Sequence, residues 1–343
     1  MTVDEPTHRQ RLPWLEPTWR RLWSAHRDGR LGHALLLSGP AGIGKRALAD
    51  RLAQALMCTA PAADGSPCDR CPDCRLVLAG NHPDLTRLMP DSEGAGGDIK
   101  VDQVRALCSQ QTLTANRGTL KVLQILPAER MNPVAANSLL KTLEEPVAST
   151  LWILISEDPT RLTQTIRSRC QRISLTTPPE AEALPWLRQQ RPGAETDLAL
   201  LLRLAHGAPL IALAMIGSER VAERASNIDA FVAVGQGRRD PVAVADAWQH
   251  RDPALVLEAL VGWVCDLLRL QAHPDTAYLC NPDQRGALTA MAATIDPRAC
   301  HRYLQTIYQA RALVEATINK QLLFESLLVR WAALAKGQYA NGR

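Results

Sequence analysis

Two clusters in this 343-residue chain have residue types and spacings suited to chemistry. The first is GPAGIGKR at 39–46, one residue short of a phosphate-binding P-loop. In that motif Gly39, Gly42 and Gly44 let backbone amides curl around phosphate oxygens, Lys45 reaches the terminal phosphates, and a following Ser or Thr holds Mg²⁺. Here Arg46 stands where the hydroxyl belongs. A glycine-rich turn that never meets phosphate has the same composition, so the motif points to a nucleotide-type fold and leaves nucleotide chemistry open. The second cluster is Cys58, Cys68, Cys71 and Cys74 in CTAPAADGSPCDRCPDC. Four thiolates at this spacing can close a tetrahedral, structural shell around Zn²⁺ with no position left for water or substrate. A redox CxxC pair fits less well because further cysteines stand in register, and buried free thiols fit less well beside Asp64, Asp69, Arg70 and Asp73. The loop has almost no apolar residues of its own, so it is expected to fold only with metal. Cys108, Cys170, Cys265, Cys280 and Cys300 are dispersed and read as ordinary buried or half-buried thiols.

These clusters need elements to hold them. Ala34 to Leu37 reads as a buried strand and Arg46 to Met57 as a helix, giving the order strand, glycine loop, helix. Further strands are expected near 84–88, 122–126, 151–155 and 172–175. Asn132-Pro133 opens a helix, with Asn as cap and Pro at the first helical position, and IRSRC at 166–170 reads as a polar turn. Strands alternating with helices over 175 residues imply a parallel sheet covered on both faces. A working P-loop ATPase also needs a second strand ending in acids that hold Mg²⁺ and position water. The candidate strand, Val122 to Leu126, runs into Leu126 and Pro127, with Glu129 and Arg130 too late in the chain. Both outer supports of one Mg²⁺ are missing, so no intrinsic ATP hydrolysis is expected. Arg46 could take the metal's place against phosphate or pair with a nearby carboxylate.

Composition bounds the rest. The length suits two or three domains, and 46% hydrophobic residues suffice for packed cores. No apolar run approaches the length of a membrane span, and MTVDEPTHRQR lacks a secretory signal, so a soluble, cytoplasmic protein is expected. A net charge of +4 neither demands nor excludes nucleic acid.

GPAGIGKR, the cysteine cluster, GNHPDL at 80–85, IKVDQVR at 99–105, NSLLKTLEEP at 137–146, TIRSRCQ at 165–171 and NKQLLFESLLVRWA at 319–332 occur in one order along the chain. Together they resemble the delta-prime family of bacterial DNA polymerase III clamp-loader subunits, within the AAA+ superfamily. Related motor subunits keep the P-loop hydroxyl and the acidic strand end, and their loss here selects the delta-prime branch. The resemblance implies that Arg169, in the SRC motif, is an arginine finger for a neighbour's γ-phosphate; as bare sequence it is equally a surface charge or a local salt bridge. It also implies that the window 206–213 should hold a sensor arginine in an active subunit, and none is there.

The expected fold is an α/β AAA+ nucleotide-binding-type domain over 1–175 with a zinc module at 58–74, a helical lid over 176–217, and an all-α collar over 218–343. Helices are read over 242–270, 284–295 and 297–335, with an apolar stripe through Val256, Leu257, Leu260, Val261, Val264, Leu267 and Leu268. The implied role is a non-hydrolysing stator in a pentamer with ATPase motor subunits and delta, meeting the sliding clamp and primer-template DNA through that complex, with no membrane partner. The competing readings are an ATP-hydrolysing motor and, in another class, a zinc-dependent nucleic-acid binder.

Overall fold

The computed structural model describes residues 11–90, 97–111, 114–118, 120–193, 197–314 and 319–337. The N-terminal segment 1–10 and residues 315–318 of the expected last helix lie outside them. The chain divides into two compact units, 1–193 with 207–214 and 194–206 with 215–343.

The first unit is built on strands β1 (Ala34–Ser38), β2 (Leu85–Leu88), β3 (Lys121–Ile125), β4 (Thr150–Ser156) and β5 (Gln171–Ser174), all parallel, in the order β2-β3-β4-β1-β5. Every residue of β1, β3 and β4 is buried, as unbroken apolar runs in a doubly covered parallel sheet require. Its helices are α1 (Glu16–Arg27), α2 (Lys45–Met57), α3 (Pro72–Leu78), α4 (Val101–Gln110), α5 (Pro133–Glu144), α6 (Gln164–Arg169) and α7 (Glu180–Gln190). One sheet face, with Leu36, Leu123, Trp152 and Leu154, forms a core with α4, α5 and α6. Helix α2 packs on β1 and β4. The cap of α5 forms as read, with Asn132 Oδ1 accepting from Ala135 N at 2.8 Å and Pro133 at the helix start.

The segment read as a polar turn is instead α6. Thr163 caps it by accepting from Ile166 N, and Ile166 is fully buried in the core below the sheet. One capping hydroxyl and one anchored apolar side chain are enough to convert a turn into a short helix. Helix α1 has no counterpart in the sequence reading; its Trp19 and Trp23 are buried and stacked at 6.0 Å.

Helix α8 (Leu198–Leu204) belongs to the second unit and α9 (Pro209–Met215) largely to the first. The second unit continues with α10 (Glu219–Gly235), α11 (Pro241–Trp248), α12 (Pro253–Ala272), α13 (Arg285–Ala292), α14 (Pro297–Leu313) and α15 (Lys320–Ala335). The helix expected over 242–270 is two, because Asp252 caps a new start by accepting from Ala254 N at 2.9 Å, with Pro253 at its first position. Helix α10 was not anticipated. The apolar stripe of α12 lies in the core, with Val261 and Leu268 at its margin. Trp331 on α15 stacks on Phe231 of α10 at 4.1 Å and donates its Nε1 hydrogen to Phe231 O at 2.9 Å. Inside the same stripe stands the fully buried Asp266, which accepts from Cys280 N, Asn281 N, Asn281 Nδ2 and Arg269 Nη1 at 2.7–2.9 Å. Four donors satisfy a carboxylate that an apolar helix would otherwise exclude. Among the described residues no single helix is long and apolar enough to cross a membrane.

Candidate functional site

Three places carry the residues singled out by the sequence: the two edges of the sheet and the cysteine loop. At the C-terminal edge, β1 runs into the glycine loop and α2. Gly39, Gly42 and Gly44 take φ of 149°, 70° and 92°, so the loop has the curled backbone the motif predicts. Its surroundings are occupied by the protein itself. Leu210 N donates to Gly42 O at 3.0 Å, and a Cβ on Gly42 would come within 2.5 Å of Ile211 Cγ1, so the start of α9 lies directly on the loop. Ile211 belongs to the very window in which an arginine was looked for. From the other side Trp14 Nε1 donates to Ile43 O at 2.9 Å, and Leu12 packs against Gly44. Lys45 is buried, and its ammonium donates to Pro40 O at 2.6 Å.

Arg46 pairs with a carboxylate. Its Nε lies 3.7 Å from Asp50 Oδ2, one helical turn along α2. Asp50 is buried and also accepts from Arg87 Nε and Nη2 at 3.1 and 2.9 Å, while Arg87 Nε reaches Gln124 Oε1 at 3.1 Å. Two guanidinium groups thus share one buried carboxylate, an arrangement that ties α2 to β2 and β3. The sequence signal was available: a lone arginine in the short strand LTRL must find a partner. At the end of β3 Leu126 is buried where an acid would hold Mg²⁺. Glu129 sits one turn on, with Oε1 accepting from Glu157 N and Asp158 N at 2.8 and 3.2 Å. It fastens the loop after β4.

Arg169 lies at the opposite edge. It ends α6, one residue short of β5, whose Gln171 is in register with Leu35 near the start of β1. Four residues of β1 separate that level from Gly39, about 13 Å at strand rise, which exceeds the reach of an arginine side chain. Arg169 Nη2 lies 2.5 Å from Glu144 Oε1 and its Nη1 donates to Thr165 O at 3.1 Å. The companions stay local: Arg167 donates to Gln164 Oε1 at 2.9 Å, and Arg172 to Arg167 O at 3.0 Å. Glu144 was part of a motif read from the sequence, yet nothing there pairs it with a residue 25 positions on.

The four Sγ atoms of Cys58, Cys68, Cys71 and Cys74 lie within 4.8 Å of one another and could hold a metal ion. Backbone N–H groups of Cys68, Cys71 and Cys74 donate to Cys58, Cys68 and Cys71 sulfurs at 3.3–3.4 Å, which favours the thiolate at Cys68 and Cys71, while burial pushes the thiols of Cys58 and Cys74 up. At Cys71 burial opposes ionisation, but the N–H groups of Cys74 and Thr59 win and bring the thiol down to about 6. The sequence expects this loop to fold only with metal; in the structure α1 also lends it apolar support. Trp19 Nε1 donates to Asp64 O at 2.9 Å, and Gly65, at φ 82°, lies flat on Trp23, where a Cβ would come within 2.3 Å of the ring. The GNHPDL segment fastens its other end. Arg117 Nε donates to Asp73 Oδ1 at 2.6 Å, and His82 Nε2 lies 3.4 Å from the same oxygen. Asp84 accepts from the backbone of Asn116, Arg117 and Gly118 at 2.7, 2.9 and 3.4 Å. Burial pushes the Asp84 carboxyl up, but these three donors hold it below the ordinary carboxylate range.

Of the five dispersed cysteines, Cys280 is not an ordinary thiol. A hydrogen bond from His206, joined by Arg269 Nη1 at 3.3 Å, outweighs burial and lowers it, while burial raises Cys170 to about 11 and Cys300 to about 12.

A doubly covered parallel sheet whose first strand enters a glycine loop and helix, with a four-cysteine loop after that helix and a helical unit later in the chain, defines an AAA+-like protein. A family profile described as DNA polymerase III, delta subunit, matches residues 14–179, and a second, described as its C terminal part, matches 218–333. The chain is 37% identical to the DNA polymerase III subunit delta' of Pseudomonas aeruginosa over 94% of its own length and 97% of that protein's. It is 34% identical to the corresponding Escherichia coli subunit over 93% and 94%. It belongs to the delta' family of DNA polymerase III clamp-loader subunits. A solved gamma-subunit-related protein of Thermotoga maritima aligns over 94% of this chain and 99% of its own, at 15% identity and a TM-score of 0.46.

Proposed function

We propose that the chain is a non-hydrolysing stator of the clamp loader, which presents Arg169 to ATP bound on a neighbouring subunit while its own P-loop stays silent. The observation that carries this reading is the separation of the two edges. An arginine about 13 Å of strand away from its own glycine loop has no intramolecular phosphate to serve, and a guanidinium is suited to stabilise charge developing in a neighbour's transition state. The silence of Gly39, Gly42, Gly44 and Lys45 is supported by Ile211 on the loop, by Lys45 turned to Pro40 O, and by Arg46 engaged with Asp50. Without a hydroxyl or an acid for Mg²⁺, phosphoryl transfer lacks its main source of charge stabilisation.

In this reading residues 1–175 form the AAA+ domain, 176–217 the lid and 218–343 a collar that joins motor subunits and delta in a pentamer. That complex works in the cytoplasm and meets the sliding clamp and primer-template DNA. Cys58, Cys68, Cys71 and Cys74 hold a structural Zn²⁺: at a Zn–S length of about 2.3 Å a tetrahedral shell needs sulfurs about 3.8 Å apart, which the cluster's 4.8 Å limit accommodates. One zinc per chain, lost on Cys74→Ser, is the expected elemental analysis.

The deciding experiment has two arms. The purified chain should show no ATP turnover; turnover that disappears on Lys45→Ala would overturn the stator. Assembled with its motor subunits, Arg169→Ala should depress DNA-stimulated hydrolysis, and unchanged hydrolysis would remove the finger.

A further inference from the structure

Arg169 reaches the surface already engaged. Its guanidinium spans from Thr165 O, one turn back in α6, to Glu144 Oε1 at the end of α5, at 3.1 and 2.5 Å. The Glu144 side chain is 48% exposed and that of Arg169 32%, so the pair is open to solvent and to a competitor. A carboxylate presents oxygen acceptors to the guanidinium fork much as a phosphate does. The two acceptors differ in charge: one unit on Glu144, more on a terminal phosphate. Among the described residues the neighbouring cations are engaged elsewhere, Arg167 with Gln164 and Arg172 with the backbone of Arg167, while His33 Nε2 lies 3.0 Å from Leu143 O.

We propose that Glu144 is the positioning residue of the arginine finger: it parks Arg169 against the sheet edge and gives it up to the terminal phosphate of a neighbour's nucleotide. This rests on the trans role proposed for Arg169. The parked state is a stand-in for the engaged one, with the carboxylate occupying the place that the phosphate takes. Because the pair is exposed, parking is shallow; an exposed ion pair shifts an equilibrium by about fivefold at most. Glu144 therefore acts on nucleotide engagement and leaves the chemical step, which follows release, unaltered.

The test uses the assembled clamp loader with variants of this chain alone, measuring ATP hydrolysis at the adjoining site. Glu144→Gln should lower KM about two- to fivefold with kcat within twofold, and Glu144→Asp should return KM toward the parent value. In an Arg169→Ala background Glu144→Gln should change nothing, because the effect runs through the guanidinium. A Glu144→Gln complex with unaltered KM, one with depressed kcat, or a KM effect that survives removal of Arg169 each overturns the parking role. If Arg169→Ala itself leaves hydrolysis intact, the finger reading fails first, and the two failures are thereby distinguished.

Discussion

The sheet face under α2 and the N-terminal edge of the sheet hold the same kinds of groups, arginines and carboxylates, under opposite conditions. Under α2, midway along the strands, Arg46 and Arg87 share Asp50, whose side chain is 3% exposed. At the N-terminal edge Arg169 meets Glu144 where both face solvent. Buried pairs cannot be broken cheaply, because the partner left behind is a desolvated charge. Exposed pairs can, because water replaces the partner. The first arrangement locks α2 to the sheet and closes a site inward; the second keeps a cation available to something outside.

That contrast makes the two places separable by mutation. The largest effect belongs to Arg169→Ala, which should cut hydrolysis at the neighbouring subunit's site on the order of 10³-fold in single-turnover assays of the complex, while changing the unfolding free energy of the isolated chain in urea by no more than about 1 kcal/mol. Asp50→Ala should do the reverse in kind. It leaves two guanidinium groups around a buried vacancy and should cost about 3–5 kcal/mol in chemical denaturation; a loss below about 1 kcal/mol would show that water relieves the pair and would erase the distinction between the two places.

A third group separates burial from position. Asp84 stands just before β2, at the same edge as Arg169, but is 1% exposed and held by three backbone donors. Its folded carboxyl lies below the ordinary value, so its stabilisation is complete above the unfolded value of about 3.9 and is lost as pH falls through the depressed folded value. Asp84→Asn should therefore destabilise by about 1–3 kcal/mol at neutral pH, and the difference from the parent chain should shrink in acid. The smallest effect is chemical rather than energetic. Cys280 should be alkylated by iodoacetamide at lower pH than a free thiol, and His206→Ala should move that profile upward, whereas Cys170 and Cys300 should stay inert until alkali or unfolding.

The alternation of buried strands and helices was legible from residue types, because a parallel sheet covered on both faces leaves unbroken apolar runs such as Leu151 to Ile155. So were the cysteine cluster and the absence of acids after β3, since spacing alone carries them. The pairings were not. Arg87 with Asp50, Arg169 with Glu144, and Ile211 on Gly42 join residues 37, 25 and 169 positions apart, and no local pattern encodes which partner is chosen. Short elements also escaped: α6 depends on a single buried Ile166, too little periodicity to distinguish six helical residues from a turn. Asp266 was hidden for the opposite reason, as one polar residue in a long apolar stripe whose donors come from a loop some fifteen residues later.

The stacking of Trp331 on Phe231 bears on the order in which the chain matures. The two rings are 100 residues apart in sequence, and the core they close contains α10, α11, α12, α14 and α15 residues together. The sheet unit has all its strands once residue 174 has been made, so during synthesis it can collapse while the second unit still lacks its keystone. A ribosome-bound chain stalled before residue 331 would thus display a finished sheet, Arg169 included, together with a helical region whose core is still open.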